Sequence, residues 1–269
     1  MDGVPLGEPS RLVNRRTALS LVGYAGLAAA AIGACSSSPS QDSTSAQTSD
    51  ANTGSTTARP SETTSSALTT AATVSGVMMC REAWGARAAR PGGESHTLSR
   101  MTIHHTAAVL GENSNAPARL RQHQLYHQDS QGWIDIAYHV SVDRNGNIYE
   151  LRRPDLVGDT ATSYDPTGHF LVVCEGNFDE EELSEAQLNG AAFAFAWAAQ
   201  QFGIATETLA GHRDASGDTA CPGASLYRHV SSGDLKRRVD DLLAGGTIDL
   251  RTVCGAEATA LVADIEAGH

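Results

Sequence analysis

IHHTA, at Ile103–Ala107, and GHRDASGDTACPG, at Gly211–Gly223, stand about a hundred residues apart and decide how the rest of this chain is read. The first places His104 at the end of an apolar, β-prone run, and the second sets His212 and Cys221 on either side of a polar loop. Two imidazoles and one thiolate from separate segments hold Zn²⁺ on three sides and leave the fourth position for water, which is the arrangement of catalytic rather than structural zinc. Such a set points to a hydrolase.

Working outward, Met101–His105 reads as a strand because β-branched Thr102 and Ile103 lead directly into the histidines. Pro117 suits the first turn of a helix running towards Gln128, with Asn115 as its cap. Tyr138, Val140 and Val142 alternate with His139, Ser141 and Asp143, and Asn145–Gly146 then turns the chain into Asn147–Leu151, so this pair is a hairpin. Phe170–Glu175 is an apolar central strand. Ser184 with Gln187 makes a capping box, after which Leu188, Ala191, Ala192, Phe195, Ala199 and Phe202 recur at helical spacing until Gly203. Strands and helices alternate, so the fold class is α/β.

With these segments in place, the chain resembles the type 2 N-acetylmuramoyl-L-alanine amidases and the related peptidoglycan recognition proteins. The resemblance rests on Arg81–Ala86, the IHHTA strand, Tyr126, His127, Gly132, Trp133, Asp135–His139, Gly176–Phe178, the GHRD and ACPG segments, and Leu226–Tyr227. It implies a mixed central β-sheet flanked by helices, with zinc at the floor of a surface groove. Carried over by position, the metal ligands are His104, His212 and Cys221, with His105 a neighbour. The catalytic tyrosine falls on Tyr138, and a second catalytic position, two residues before the cysteine, falls on Thr219. The implied reaction is hydrolysis of the amide between N-acetylmuramic acid and L-alanine in peptidoglycan, with Tyr138 and Thr219 donating hydrogen bonds to the developing oxyanion.

Two departures from the family pattern stand out. The step from His212 to Cys221 is nine residues where eight is usual, and Asp159 and Thr160 follow Val157–Gly158 where the family usually carries a histidine. Each assignment also has a plainer competitor. His104 alone reads as a core histidine, Cys221 alone as half of a disulfide, and Tyr138 as one more β-former. His123 and His127 have metal-binding spacing on the predicted helix but lack the intervening glutamate of the metalloprotease pattern, so they read as packing residues. Glu175 is a further candidate general base. The reading from a different functional class is a module that binds peptidoglycan without cleaving it.

The ends of the chain speak to location. Asn14–Thr17, with Arg15 and Arg16, leads into an uncharged Ala- and Gly-rich stretch that reads as a twin-arginine signal over residues 1–34. Ile32–Cys35 resembles a lipobox, so Cys35 is expected to carry lipid and anchor an exported lipoprotein at the outer face of the cytoplasmic membrane. Residues 35–76, rich in Ser and Thr, bury too little surface to order and are expected to be a tether reaching about 35 Å. The zinc amidase domain is expected over 77–245. Residues 246–269 are left as a tail, with a short helix at Ala258–Ile265.

Charge and cysteine content complete the picture. The formal charge is −12, and residues 1–34 carry three arginines against Asp2 and Glu8, so the remainder carries −13. No basic stripe argues for nucleic acid, and a monomer is expected. With Cys35 lipidated and Cys221 on metal, Cys174 sits in an apolar strand, and Cys80 and Cys254 are either a disulfide or free thiols.

Overall fold

A computed structural model describes residues 72–269; the signal segment, Arg15, Arg16, Cys35 and residues 35–71 of the expected tether lie outside the described residues. Among the described residues, one sheet holds Ala72–Met79 (β1), Arg100–His105 (β2), Val140–Val142 (β3), Ile148–Glu150 (β4), His169–Cys174 (β5), Ala210–Gly211 (β6) and Gly246–Val253 (β7). Their order is β6-β2-β5-β3-β4-β1-β7. β3 and β4 pair antiparallel and the other neighbours pair parallel, so the sheet is mixed.

Helices cover both faces. Ala116–Leu125 (α1), extended by a π-helical turn at Tyr126–Ser130, is followed by Glu185–Phe202 (α2), His212–Ala215 (α3), Ala224–Ser231 (α4), Asp234–Gly245 (α5) and Gly255–Glu266 (α6). On one face Met101, Ile103, Phe170 and Val172 pack with Ala191 and Phe195 of α2 and Leu235 and Val239 of α5. On the other, Tyr149 and Val173 pack with Trp84, Leu120 of α1, and Val262 and Ile265 of α6. Each of the larger apolar side chains among these contributes about 1.5–3 kcal/mol by leaving water. Successive residues of a strand point to opposite faces. His104, in register with Val173, therefore lies on the α1 face, and His105, in register with Cys174, lies on the other.

The hairpin turns at Asn145–Gly146 as expected. Asp143 holds it by accepting from the amides of Asn145 and Asn147, each at 3.0 Å, and from the Tyr149 hydroxyl at 2.8 Å. Gly146 has φ +85°, and a Cβ there would lie 2.6 Å from the carbonyl oxygen of Ala186. The start of α2 is capped by Ser184, whose Oγ accepts from Gln187 N at 3.0 Å. The reciprocal half of the expected capping box is absent, because the Gln187 amide instead donates to the carbonyls of Val142 and Glu175 and ties the helix to the sheet. Asn115 likewise makes no side-chain cap on α1; its Nδ2 donates to Leu110 O.

The domain limits expected from sequence need correction at both ends. β1 begins at Ala72, inside the stretch expected as tether, and 246–269 is part of the folded body rather than a tail. β7 pairs with all of β1, from Ala72 opposite Gly246 to Met79 opposite Val253. α6 then buries Ala258, Val262 and Ile265 in the core of the α1 face. Cys80 and Cys254 form a disulfide immediately after the paired strands. Cys174 is a buried free thiol in β5.

Candidate metal centre

His104 comes from the end of β2, His212 from the first residue of α3, and Cys221 from the loop that follows. The GHRD string places the latter two. Asp214 accepts from Gly211 N at 2.8 Å and from the Tyr227 hydroxyl at 2.6 Å, which fixes the start of α3. The backbone N–H of Arg213 donates to Cys221 O at 2.9 Å, and its guanidinium reaches the carbonyls of Cys221 and Ala220, so the nine-residue step closes on itself.

One ligand atom from each of His104, His212 and Cys221 lies within 4.8 Å of the other two. The Cys221 Sγ to His104 Nδ1 distance is 3.7 Å, and the two imidazole centroids are 4.6 Å apart. These spacings suit three donors around one centre with bonds of about 2.0–2.3 Å. His104 Nε2 is buried without a partner. Desolvation lowers the pKa of His104 well below its ordinary value and that of His212 to about 4, so both rings are neutral at physiological pH. Burial pushes the Cys221 thiol up to about 12, against the opposing influence of the His105 amide, which donates to Sγ at 3.4 Å. A thiolate there needs a cation beside it. Two neutral imidazoles and such a cysteine fit zinc.

The other residues singled out from sequence fall around this centre or away from it. The Tyr138 ring lies 5.1 Å from that of His104, and burial raises its phenol well above the usual range, so it keeps its proton. Thr219 Oγ1 accepts from Cys221 N at 3.1 Å, which leaves its own hydrogen free to be donated. His105 turns away from the centre, and its Nδ1 accepts from Phe178 N at 3.3 Å. His123 and His127 stack with centroids 6.5 Å apart; His127 accepts from Ala137 N, and His123 faces Glu175 at 3.7 Å. Glu175 is buried beneath α1, accepts from the Ser141 hydroxyl at 2.9 Å, and is raised by desolvation to about 8. Asp159 pairs with the buried guanidinium of Arg152.

Sequence reasoning missed the loop between β4 and β5. Its Thr162 Oγ1 lies 2.8 Å from His212 Nε2, and the Tyr164 ring lies 5.0 Å from the His212 ring. No motif marks either residue; the only signal was the departure at Asp159 and Thr160. The second cluster of metal-type donors among the described residues, Cys80, Glu82 and Cys254, has its two sulfurs joined in the disulfide. A cavity of about 850 Å³ between β1, α2, α5 and α6, lined in part by Val74, Phe193, Leu242 and Leu261, shares no residue with the metal centre.

A mixed sheet flanked by helices, with His104, His212 and Cys221 gathered at the end of β2, defines an α/β domain that carries a candidate metal centre. Residues 94–224 match the family model described as N-acetylmuramoyl-L-alanine amidase. Peptidoglycan-recognition protein SC2 of Drosophila melanogaster is 31% identical over 156 residues, covering 57% of this chain and 84% of that protein. Human N-acetylmuramoyl-L-alanine amidase is 33% identical over 155 residues, 55% of this chain and 26% of the human protein. Among solved structures, wild-type Drosophila PGRP-LB aligns with TM-score 0.52 and 28% identity over 59% of this chain and 94% of that one. The PGRP-LCa and LCx ectodomain complex with tracheal cytotoxin aligns with TM-score 0.53 and 30% identity, covering 57% of this chain and 95% of that chain. The chain belongs to the family of N-acetylmuramoyl-L-alanine amidases and peptidoglycan recognition proteins. The relatives include both proteins named as amidases and proteins named for peptidoglycan recognition.

Proposed function

We propose that this protein is a zinc-dependent N-acetylmuramoyl-L-alanine amidase that cleaves the bond between N-acetylmuramic acid and the stem peptide in peptidoglycan. The observation that carries this reading is the convergence of His104, His212 and Cys221 within 4.8 Å beside Tyr138. A binding module has no need of a complete donor set next to a buried phenol.

His104, His212 and Cys221 would hold the ion, which supplies Lewis acidity and makes water a nucleophile near neutral pH. The protein's own groups do the rest. Tyr138 keeps its proton and donates it as a hydrogen bond where negative charge develops on the scissile carbonyl oxygen, a contribution of about 3 kcal/mol per donor in acyl-transfer enzymes. Thr219 is oriented by the Cys221 amide and offers a second, neutral donor. Two imidazoles and one thiolate leave zinc a net charge of +1, which makes these donors more necessary. Measuring metal content, together with stem peptide released from purified cell wall by the wild type and Cys221→Ser, tests the reading. Zinc-free wild-type protein, or undiminished release by the variant, would remove it.

The location follows the same order of argument. Arg15, Arg16 and Cys35 support export as a lipoprotein, held at the outer face of the cytoplasmic membrane within reach of the wall.

A further inference from the structure

We propose that Thr162 is a positioning residue for His212, holding the imidazole as the Nε2–H tautomer so that Nδ1 is the nitrogen presented to His104 and Cys221. The inference rests on the metal-centre reading above and extends it to a loop that carries no motif.

The contact itself is short. Thr162 Oγ1 and His212 Nε2 are 2.8 Å apart, so Nε2 is occupied and the other ring nitrogen remains for a metal. A nitrogen that ligates a metal carries no hydrogen, which puts the ring hydrogen on Nε2 and makes the threonine oxygen the acceptor. The hydroxyl hydrogen of Thr162 then needs its own acceptor, and Thr160 Oγ1 lies 2.8 Å away. The reverse direction, with Thr162 donating to Nε2, would leave a hydrogen on Nδ1 and spoil the centre.

The loop is built to hold this hydroxyl in place. Arg152, 2% exposed, donates to the carbonyls of Asp135, Ile136 and Val157 and pairs with Asp159, which pins the start of the loop to the strands below. Thr160 Oγ1 accepts from Thr162 N at 3.1 Å, closing the turn that aims Thr162. The next residue, Ser163, meets Ser216 with hydroxyls 3.2 Å apart, and Ser216 donates in turn to Asp218. The longer step between His212 and Cys221 thus supplies a second fastening point for the same loop. Tyr164 then closes against the His212 ring. Three successive residues grip one ligand and the segment that follows it.

The test uses the full chain as wild type, Thr162→Val and Thr162→Ser. In metal-free, ¹⁵N-histidine-labelled protein, nitrogen chemical shifts report the tautomer of His212 directly. The wild type and Thr162→Ser should show Nε2–H, and Thr162→Val should show mixed tautomers with unchanged far-UV circular dichroism. Zinc affinity by chelator competition should fall about 10–100-fold in Thr162→Val and stay within a few-fold in Thr162→Ser. An Nδ1–H tautomer in the wild type, or wild-type zinc affinity in Thr162→Val, overturns the proposal. If the wild type takes no zinc, the amidase reading fails and the tautomer alone decides the role of Thr162; if Thr162→Val does not fold, the wild type and Thr162→Ser decide it.

Discussion

Tyr138 and His104 stand with ring centroids 5.1 Å apart and planes inclined at 50°, although one precedes β3 and the other lies near the end of β2. β5 separates these two strands in the sheet, so the contact spans β5 on the α1 face. A phenol in that position adjoins the proposed metal centre without being one of its three candidate donors. Tyr138→Phe is therefore expected to keep the fold and zinc content while lowering turnover by about a hundredfold, the cost of one oxyanion donor. Parallel measurement of zinc and turnover on one muropeptide checks this, and full turnover would remove the tyrosine from the mechanism.

Thr219→Val is expected to lower turnover by less than Tyr138→Phe, with a different signature. Its hydroxyl also accepts from the backbone of Cys221, so zinc affinity should fall along with turnover. Thr219→Ser, which keeps the hydroxyl, should restore both in the same assays.

Acid should unfold the metal-free protein early. Desolvation lowers His105, His123, His127, His169 and His212 to about 4 and His139 to about 3. The unfolded chain binds protons at these sites near pH 6.5 while the folded chain does not, so stability is complete above about pH 6.5 and is lost as pH falls towards 4. Urea midpoints taken from pH 7.5 to 4.5 should drop steadily through this window. A flat profile between pH 6.5 and 5 would contradict the buried, neutral state of these rings.

Glu175 slopes the other way. Its carboxyl titrates at about 8 in the folded protein, above the unfolded value, so its contribution is complete below about pH 4.5 and is lost as pH rises through 8. Glu175→Gln keeps an acceptor for Ser141 without the charge. The variant should match the wild type near pH 4 and exceed it at pH 9 by on the order of a few kcal/mol in urea unfolding.

Removal of the Cys80–Cys254 bond by Cys80→Ser with Cys254→Ser should cost about 2–5 kcal/mol of stability. The bond fastens β1 to the end of β7, so the loss should be greatest in the 246–269 segment. Hydrogen exchange would localise it there, with the amides of β2 and β5 exchanging last.

If the proposed lipid anchor at Cys35 holds, Arg15→Lys with Arg16→Lys should block export, and Cys35→Ala should release soluble protein from the membrane fraction. Fractionation and immunoblotting read both outcomes, and unchanged behaviour in the two variants would count against the lipoprotein.

The sequence alone determined the candidate chemistry-bearing residues, because metal chemistry demands particular side chains: His104, His212 and Cys221 were legible before any geometry, β-branched Thr102 and Ile103 marked β2, an apolar run marked β5, and period two and period 3.6 marked β3 and α2. Tertiary structure decided what depends on partners distant in the chain. Residues 246–269 carry only a short alternation, Ile248 and Leu250 against Thr247, Asp249 and Arg251, whose burial depends on β1, more than 170 residues earlier. Gln187 looked like half of a capping box until the sheet offered its amide two buried carbonyls. Thr162 was invisible for the same reason: a hydroxyl in a polar loop has no distinguishing signature, and only the path of the chain from Arg152 to β5 sets it against His212, 50 residues away.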